Sequence, residues 1–253
     1  MAVAGDKHYR AEIIERRDFS EDLWAIRIKA EGPFSFTPGQ YATFGVAEAD
    51  KLIERPYSIV SSPYEDTLEF FFELVPEGEL TPRLHKLQTG AALYMRKTAK
   101  GRFNLDMKSG HKKHYLVSTV TGVAPYCSMV RSLYRDWKEG RYPEGHKLYV
   151  LQGASRSWEL GYREELERFA AEAPWLEYIP TVSRPWEDKE WKGEVGRCED
   201  LLRKYSDQFD LDPADTTGYL CGHPEMIEKA KGILQRRGYP KESLREEQYW
   251  VQK

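Results

Sequence analysis

Cysteine is scarce in this sequence. Its 253 residues hold three, Cys127, Cys198 and Cys221, far apart. They form neither a CxxC pair nor the four-cysteine spacing that an iron–sulfur cluster takes. An odd, sparse count suits a reducing compartment. Long hydrophobic runs are missing as well, so no segment reads as a membrane span. The stretch from Met1 to Arg10 lacks the apolar core of a signal peptide. Charge of one sign is not in excess either: 38 Lys and Arg stand against 41 Asp and Glu, a net charge of −3. No strong field points to nucleic acid, and the short basic groups Lys112-Lys113 and Arg236-Arg237 read as solvated surface. His223, before a proline, has no second ligand at metal spacing and reads as a loop histidine. The expectation is a cytoplasmic monomer with no metal, nucleic acid or membrane partner.

The chain has two rhythms. Tyr9 to Arg16, Leu23 to Ile28, Tyr41 to Val46, Arg55 to Val60 and Leu68 to Leu74 are short, often alternating, and separated by Gly, Pro, Asp or Ser. That spacing predicts an antiparallel barrel or sandwich. One short helix, Thr81 to Leu87, interrupts it, and Leu93 to Met95 resumes strand character. Past Lys108 strands and helices alternate: strands at His114 to Ser118, Lys147 to Gln152, Leu176 to Val182 and Tyr219 to Cys221; helices from Gly122 to Trp137, Gly161 to Ala171, Arg197 to Tyr205 and Pro224 to Arg236. Such alternation predicts a parallel sheet wound by right-handed crossovers. The expected fold is a two-domain chain, an N-terminal antiparallel β-barrel over 1–108 and a C-terminal α/β, Rossmann-like nucleotide-binding domain over 109–253.

The residues Arg55-Pro56-Tyr57-Ser58 put a cation, a ring and a hydroxyl on one strand. Side chains two apart share a face, so Arg55 and Tyr57 can meet one planar, anionic ligand. An arginine fork donates two parallel hydrogen bonds to a phosphate, and a tyrosine ring offers a stacking surface. An edge strand with a solvated arginine and a packed tyrosine fits the same residues. In Gly78-Glu79-Leu80-Thr81-Pro82 a helix opens, where free N–H groups and the Thr81 hydroxyl can take a pyrophosphate, or where Thr81 simply caps the helix.

In open parallel sheets ligands sit beyond the carboxyl ends of the strands. Three such tips carry suggestive residues. Thr121-Gly122-Val123-Ala124-Pro125 opens a helix, with Gly122 allowing close approach of a phosphate. It is not a GxGxxG loop, and an ordinary strand-to-helix turn fits it too. Ser155 and Arg156 at the second tip, joined by Arg184 from the next strand, can hold an extra phosphate on an adenosine ribose, where an NAD site usually has an acid; solvated arginines fit the same residues. Cys221-Gly222 ends the third, as a crevice residue or as a buried structural cysteine.

Taken together, the chain resembles the bacterial ferredoxin/flavodoxin–NADP reductases over nearly its whole length. The Arg-x-Tyr-Ser flavin motif of that family is matched by Arg55, Tyr57 and Ser58, and its Gly-x-Leu-Thr/Ser loop by Gly78, Leu80 and Thr81. The Gly-Thr-Gly-x-Ala-Pro loop is matched by Thr121, Gly122, Ala124 and Pro125, with Val120 in place of the first glycine. Cys-Gly-x-Pro-x-Met is matched by Cys221, Gly222, Pro224 and Met226, and the terminal Glu-x-Tyr by Glu247 and Tyr249, followed by Trp250.

The resemblance implies FAD and NADP(H) as cofactors and a small acidic carrier, ferredoxin or flavodoxin, as partner. Arg55, Pro56, Tyr57, Ser58, Gly78, Leu80 and Thr81 would then hold FAD. Thr121, Gly122, Ser155, Arg156 and Arg184 would hold NADPH. Ser58, Cys221, Glu247 and Tyr249 would stand at the reacting rings, with Tyr249 and Trp250 covering the flavin and Tyr249 giving way to nicotinamide. Arg96, Lys97, Lys100 and Arg102 are candidates for carrier docking. Alternatives are an NADH-linked reductase component of an oxygenase system, or a flavin-bearing electron-transfer subunit without diaphorase activity of its own.

Overall fold

The computed structural model describes residues 6–49 and 51–249. They form two compact units: residues 6–104 with Cys127–Ser132, and residues 105–126 with 133–249. Residue 108, the expected boundary, lies in the segment between the last strand of the first unit and the first strand of the second.

The first unit is a six-stranded antiparallel sheet of β1 (His8–Asp18), β2 (Leu23–Ala30), β3 (Tyr41–Glu48), β4 (Lys51–Ser58), β5 (Leu68–Glu73) and β6 (Ala92–Arg96). The order across it is β4-β3-β6-β1-β2-β5. Just past β4, the Val60 N–H donates to Glu69 O on β5 (2.9 Å), so the sheet rolls toward closure as a barrel. Alternation places Trp24, Ile26 and Ile28 of β2 and Phe70 and Phe72 of β5 inside, with Phe44 of β3 and Ile13 of β1. Each large side chain so buried stabilises the fold by roughly 1.5–3 kcal/mol. One helix, α1 (Thr81–His85), interrupts the strands and adds Leu84 to that core. Residues 127–132 belong to this unit through polar contacts. Ser128 Oγ donates to Ser61 O (2.7 Å), and Arg131 reaches the buried Glu69 carboxylate (2.7 Å).

The second unit is a parallel sheet of β7 (Lys113–Thr119), β8 (Lys147–Ala154), β9 (Leu176–Val182), β10 (Glu194–Val195), β11 (Thr216–Gly222) and β12 (Leu244–Gln248), in the order β10-β9-β8-β7-β11-β12. The crossovers carry α2 (Ala124–Lys138), α3 (Arg163–Glu172), α4 (Cys198–Gln208) and α5 (Pro224–Arg236). Leu202 and Tyr205 of α4 and Ile227 and Leu234 of α5 pack with Tyr115, Val117, Leu151 and Leu220 of the sheet. Strand order reverses between β7 and β11, and at such a switch point the strand tips leave a crevice for a ligand. β10 and β12 are strands that the apolar pattern does not announce.

At the opposite end of the sheet lies a polar chain, buried at His114 and His146. Lys112 Nζ is 3.1 Å from His146 Nε2, and His146 Nδ1 is 2.9 Å from His114 Nε2. The Tyr219 hydroxyl lies 3.4 Å from His114 Nδ1 and accepts the Asp106 N–H (2.8 Å). Burial first, and His146 second, push the His114 pKa down to about 3. An unfolded histidine titrates near 6.5, so between these values the unfolded chain binds the extra proton and folding stability falls as pH drops. The expected slope from His114 is about 1.4 kcal/mol per pH unit across that window. Urea unfolding at a series of pH values checks it, and His114→Asn should flatten the slope.

Candidate cofactor sites

In the first unit the four residues Arg55, Pro56, Tyr57 and Ser58 close the edge strand β4, where a proline without an N–H is tolerated. The Tyr57 ring is half-buried. It meets Phe72 edge-on at 4.8 Å between centroids and lies 5.3 Å from Phe44. Its phenol pKa is raised by burial and opposed by Arg55, so the hydroxyl stays protonated. Ser58 is buried in the wall.

Arg55 reaches away from the core and places Nη2 2.5 Å from Glu79 Oε2. Glu79 lies in the Gly78–Thr81 loop, so the structure brings together the two predicted pyrophosphate elements. Arg83 joins them, its Nη1 donating to Glu79 O (2.5 Å), a cation that no motif pointed to. Arg55 thus already holds an oxyanion, and this donor set fits a phosphate in the place of the carboxylate.

The start of α1 differs from one expectation: Thr81 does not cap it. The N-cap is Leu80, without a side-chain bond, and the Thr81 hydroxyl is engaged with Val75, accepting its N–H (3.0 Å) and donating to its O (3.2 Å). Gly78 is held by the same turn: its N–H donates to Val75 O (2.9 Å), and a Cβ on it would lie 3.0 Å from that oxygen.

In the second unit the tips of β7 and β11 interlock. The Thr119 hydroxyl accepts the His223 N–H (2.9 Å). A Cβ on Gly122 would lie 2.3 Å from Cys221 O, and one on Gly222 would lie 2.3 Å from Thr119 Oγ1. The close approach that Gly122 permits is to the neighbouring strand tip. His223 caps α5, its Nδ1 accepting from Glu225 N (3.2 Å).

Tyr249 spans both tips, its N–H donating to Gly222 O (3.2 Å) and its hydroxyl to Thr121 O (2.9 Å). Glu247 stands beside Cys221 in the register of β11 and β12. The Cys221 thiol is fully buried. Burial first, and Glu247 second, push its pKa well up, so it is a neutral thiol. Trp250 lies outside the described residues.

Val120 adopts φ +42 in the 3-10 turn Val120–Val123, directly before Thr121. A left-handed conformation costs a β-branched residue roughly 1–2 kcal/mol, and glycine carries no such penalty. Val120 also packs beside Ala154, Leu160 and Val182. The expected result for Val120→Gly is a gain or loss below about 1 kcal/mol, since relief of strain offsets lost packing. The same change at an unstrained, packed valine would cost more; urea unfolding measures the difference.

The tips of β8 and β9 bring together Ser155, Arg156 and Arg184, and the Arg184 N–H donates to Ser155 O (2.9 Å). They come with two acids that the sequence reading missed. Glu159 Oε2 accepts the N–H groups of Ser155 (2.9 Å) and Arg156 (3.1 Å), and its Oε1 takes Arg156 Nη1 (2.9 Å). Glu187 takes Arg156 Nε (2.5 Å) and lies 3.6 Å from Arg184 Nη1. The signal for Glu159 was its spacing, three residues after Arg156 in a short helical turn. Glu187 gave no signal, because it arrives from another loop.

Residues 10–105 match the oxidoreductase FAD-binding domain family and residues 116–232 the oxidoreductase NAD-binding domain family. A "Ferredoxin--NADP reductase A" of Sorangium cellulosum is 29% identical over 237 residues, covering 90% of this chain and 82% of that one. A "Ferredoxin--NADP reductase" of Pseudomonas aeruginosa is 28% identical over 244 residues, covering 91% and 90%. A ferredoxin NADP+ reductase from Neisseria gonorrhoeae, solved with bound FAD and NADP, superposes with a TM-score of 0.83 at 23% identity, covering 97% of this chain and 100% of that one. The chain thus joins an oxidoreductase FAD-binding domain, the barrel, to an oxidoreductase NAD-binding domain, the parallel sheet. No helix of the described residues is long and apolar enough to cross a membrane, and among them no cluster of three or more His, Cys, Asp or Glu is placed to hold a metal. Of the expected carrier-docking residues, Arg96 pairs with Glu54 and Lys97 lies over the Tyr9 ring (5.1 Å).

Proposed function

We propose that this protein is a cytoplasmic, FAD-dependent oxidoreductase that takes a hydride from NADPH and passes electrons singly to ferredoxin or flavodoxin. The observation that carries the reading is the pair of arginine sites that already hold oxyanions: Arg55 with Glu79 on the barrel, and Arg156 and Arg184 with Glu187 on the sheet. FAD supplies the exchange between two-electron and one-electron chemistry. Arg55 binds the FAD pyrophosphate through its fork. Tyr57, backed by Phe44 and Phe72, presents a ring for stacking, and Ser58 offers a hydroxyl near it. Arg156, Arg184 and Ser155 orient the adenosine end of the dinucleotide, and Thr121 and Gly122 line its path at the switch point. The neutral Cys221 and Glu247 set the polarity where nicotinamide arrives, and Tyr249, whose hydroxyl donates to Thr121 O, must release that oxygen to admit it.

Carrier coupling tests the reading. NADPH-driven cytochrome c reduction should rise several-fold when ferredoxin or flavodoxin is added; a rate indifferent to both carriers would count against it. The second reading, an NADH-linked reductase component, is favoured by one observation, the carboxylates of Glu159 and Glu187 at the ribose end of the dinucleotide site.

A further inference from the structure

We propose that Glu187 sets nucleotide preference, holding the β8–β9 tip in a state that takes the bare adenosine ribose of NADH nearly as well as the 2′-phosphate of NADPH. This rests on the reading of that tip as the adenosine subsite.

The geometry is a closed charge balance. Glu187 uses one oxygen for Arg156 Nε (2.5 Å) and faces Arg184 Nη1 with the other (3.6 Å). Glu159 takes a second Arg156 nitrogen, Nη1 (2.9 Å). Two cations thus meet two carboxylates before any ligand arrives. Glu159 is also fixed by two backbone N–H groups, of Ser155 and Arg156. An incoming phosphate that seeks both arginines must therefore displace Glu187 rather than Glu159.

Glu187 has little room to withdraw. It ends a short 3-10 turn, Pro185–Glu187, and its own N–H donates to Arg184 O (3.1 Å). The Ser157 hydroxyl donates to the Asp188 carboxylate, tying that turn to the β8 tip. The displaced carboxylate stays close to a phosphate that carries a charge of about −1.5 to −2. A bare ribose requires no displacement. Its hydroxyls can donate to the carboxylate, as they do to the acid of a dinucleotide site that accepts NAD. All four side chains are partly exposed, so solvent and salt screen the repulsion and the discrimination is modest.

The test is calorimetric binding of two probes, 2′,5′-ADP and 5′-AMP, to the purified protein and its variants. The wild type is expected to bind them within about tenfold of each other. Glu187→Gln should tighten 2′,5′-ADP about tenfold, with the gain shrinking at high salt, and should leave 5′-AMP unchanged or weaker. Glu187→Asp, which keeps the charge, should stay near the wild type. A merely structural role would move both probes together. A wild type that prefers 2′,5′-ADP by orders of magnitude, or a Glu187→Gln variant that shifts both probes equally or neither, overturns the proposal. Neither probe needs flavin or carrier. A protein without FAD would thus end the oxidoreductase reading while the probes still report on Glu187, and a flavoprotein indifferent to Glu187→Gln would lose only this inference.

Discussion

Arg55→Ala is expected to weaken FAD binding by about ten- to a hundredfold. Hydrogen bonds from a charged donor contribute roughly 1.5–3 kcal/mol when the partner is an anion, and a factor of ten corresponds to about 1.4 kcal/mol. Arg55 is half-exposed at the end of an edge strand, and its side chain leads to Glu79 rather than to the barrel core. The variant should therefore keep its fold, and the loss should appear in affinity alone. Arg55→Lys keeps the charge and loses the planar fork, so it should fall between the two. Titrating FAD into flavin-free protein and following flavin fluorescence reads the constants. Equal affinities for wild type and Arg55→Ala would remove Arg55 from the site.

Gly222→Ala should have the largest effect on the second unit, a loss of about 3 kcal/mol or more. Gly222 sits at φ +128, which side chains rarely adopt, and its Cβ would lie 2.3 Å from Thr119 Oγ1 and 3.1 Å from Thr119 N and O. The new methyl meets the hydroxyl that accepts the His223 N–H, so the link between the two tips breaks as well. Gly110→Ala is the control. Its φ is +88 but nothing lies within 4 Å of its Cβ, so only the conformational cost of about 1–2 kcal/mol remains. Urea unfolding of both variants separates collision from strain. If Gly222→Ala lost no more than Gly110→Ala, the interlocked tips would not hold the site as described.

Much of the architecture was legible because each unit obeys one period. Short alternating runs such as Trp24, Ile26 and Ile28 gave the antiparallel sheet, and the alternation of strands with helices past Lys108 gave a parallel one. What stayed hidden depends on partners distant in sequence. β12 reads Leu-Arg-Glu-Glu-Gln, a charged segment whose strand state comes from pairing with β11 at the sheet edge, and β10 is two residues long. Gly122 and Gly222 stood out as loop glycines, yet their reason is the approach of one strand tip to another. Arg156 and Arg184 were visible as cations at strand tips, but the carboxylate joining them comes from a separate turn. Thr81 matched a motif while its hydroxyl was committed to Val75, a bond that no spacing rule encodes.

The central claim is that dinucleotide held on the parallel sheet reduces flavin held on the barrel. Anaerobic titration of the purified, FAD-loaded protein with NADPH tests it directly. The account predicts loss of the yellow absorption band in proportion to NADPH added, with NADH doing the same at higher concentration. A protein that retains no FAD, or one whose bound flavin keeps its colour under both nucleotides, would contradict it.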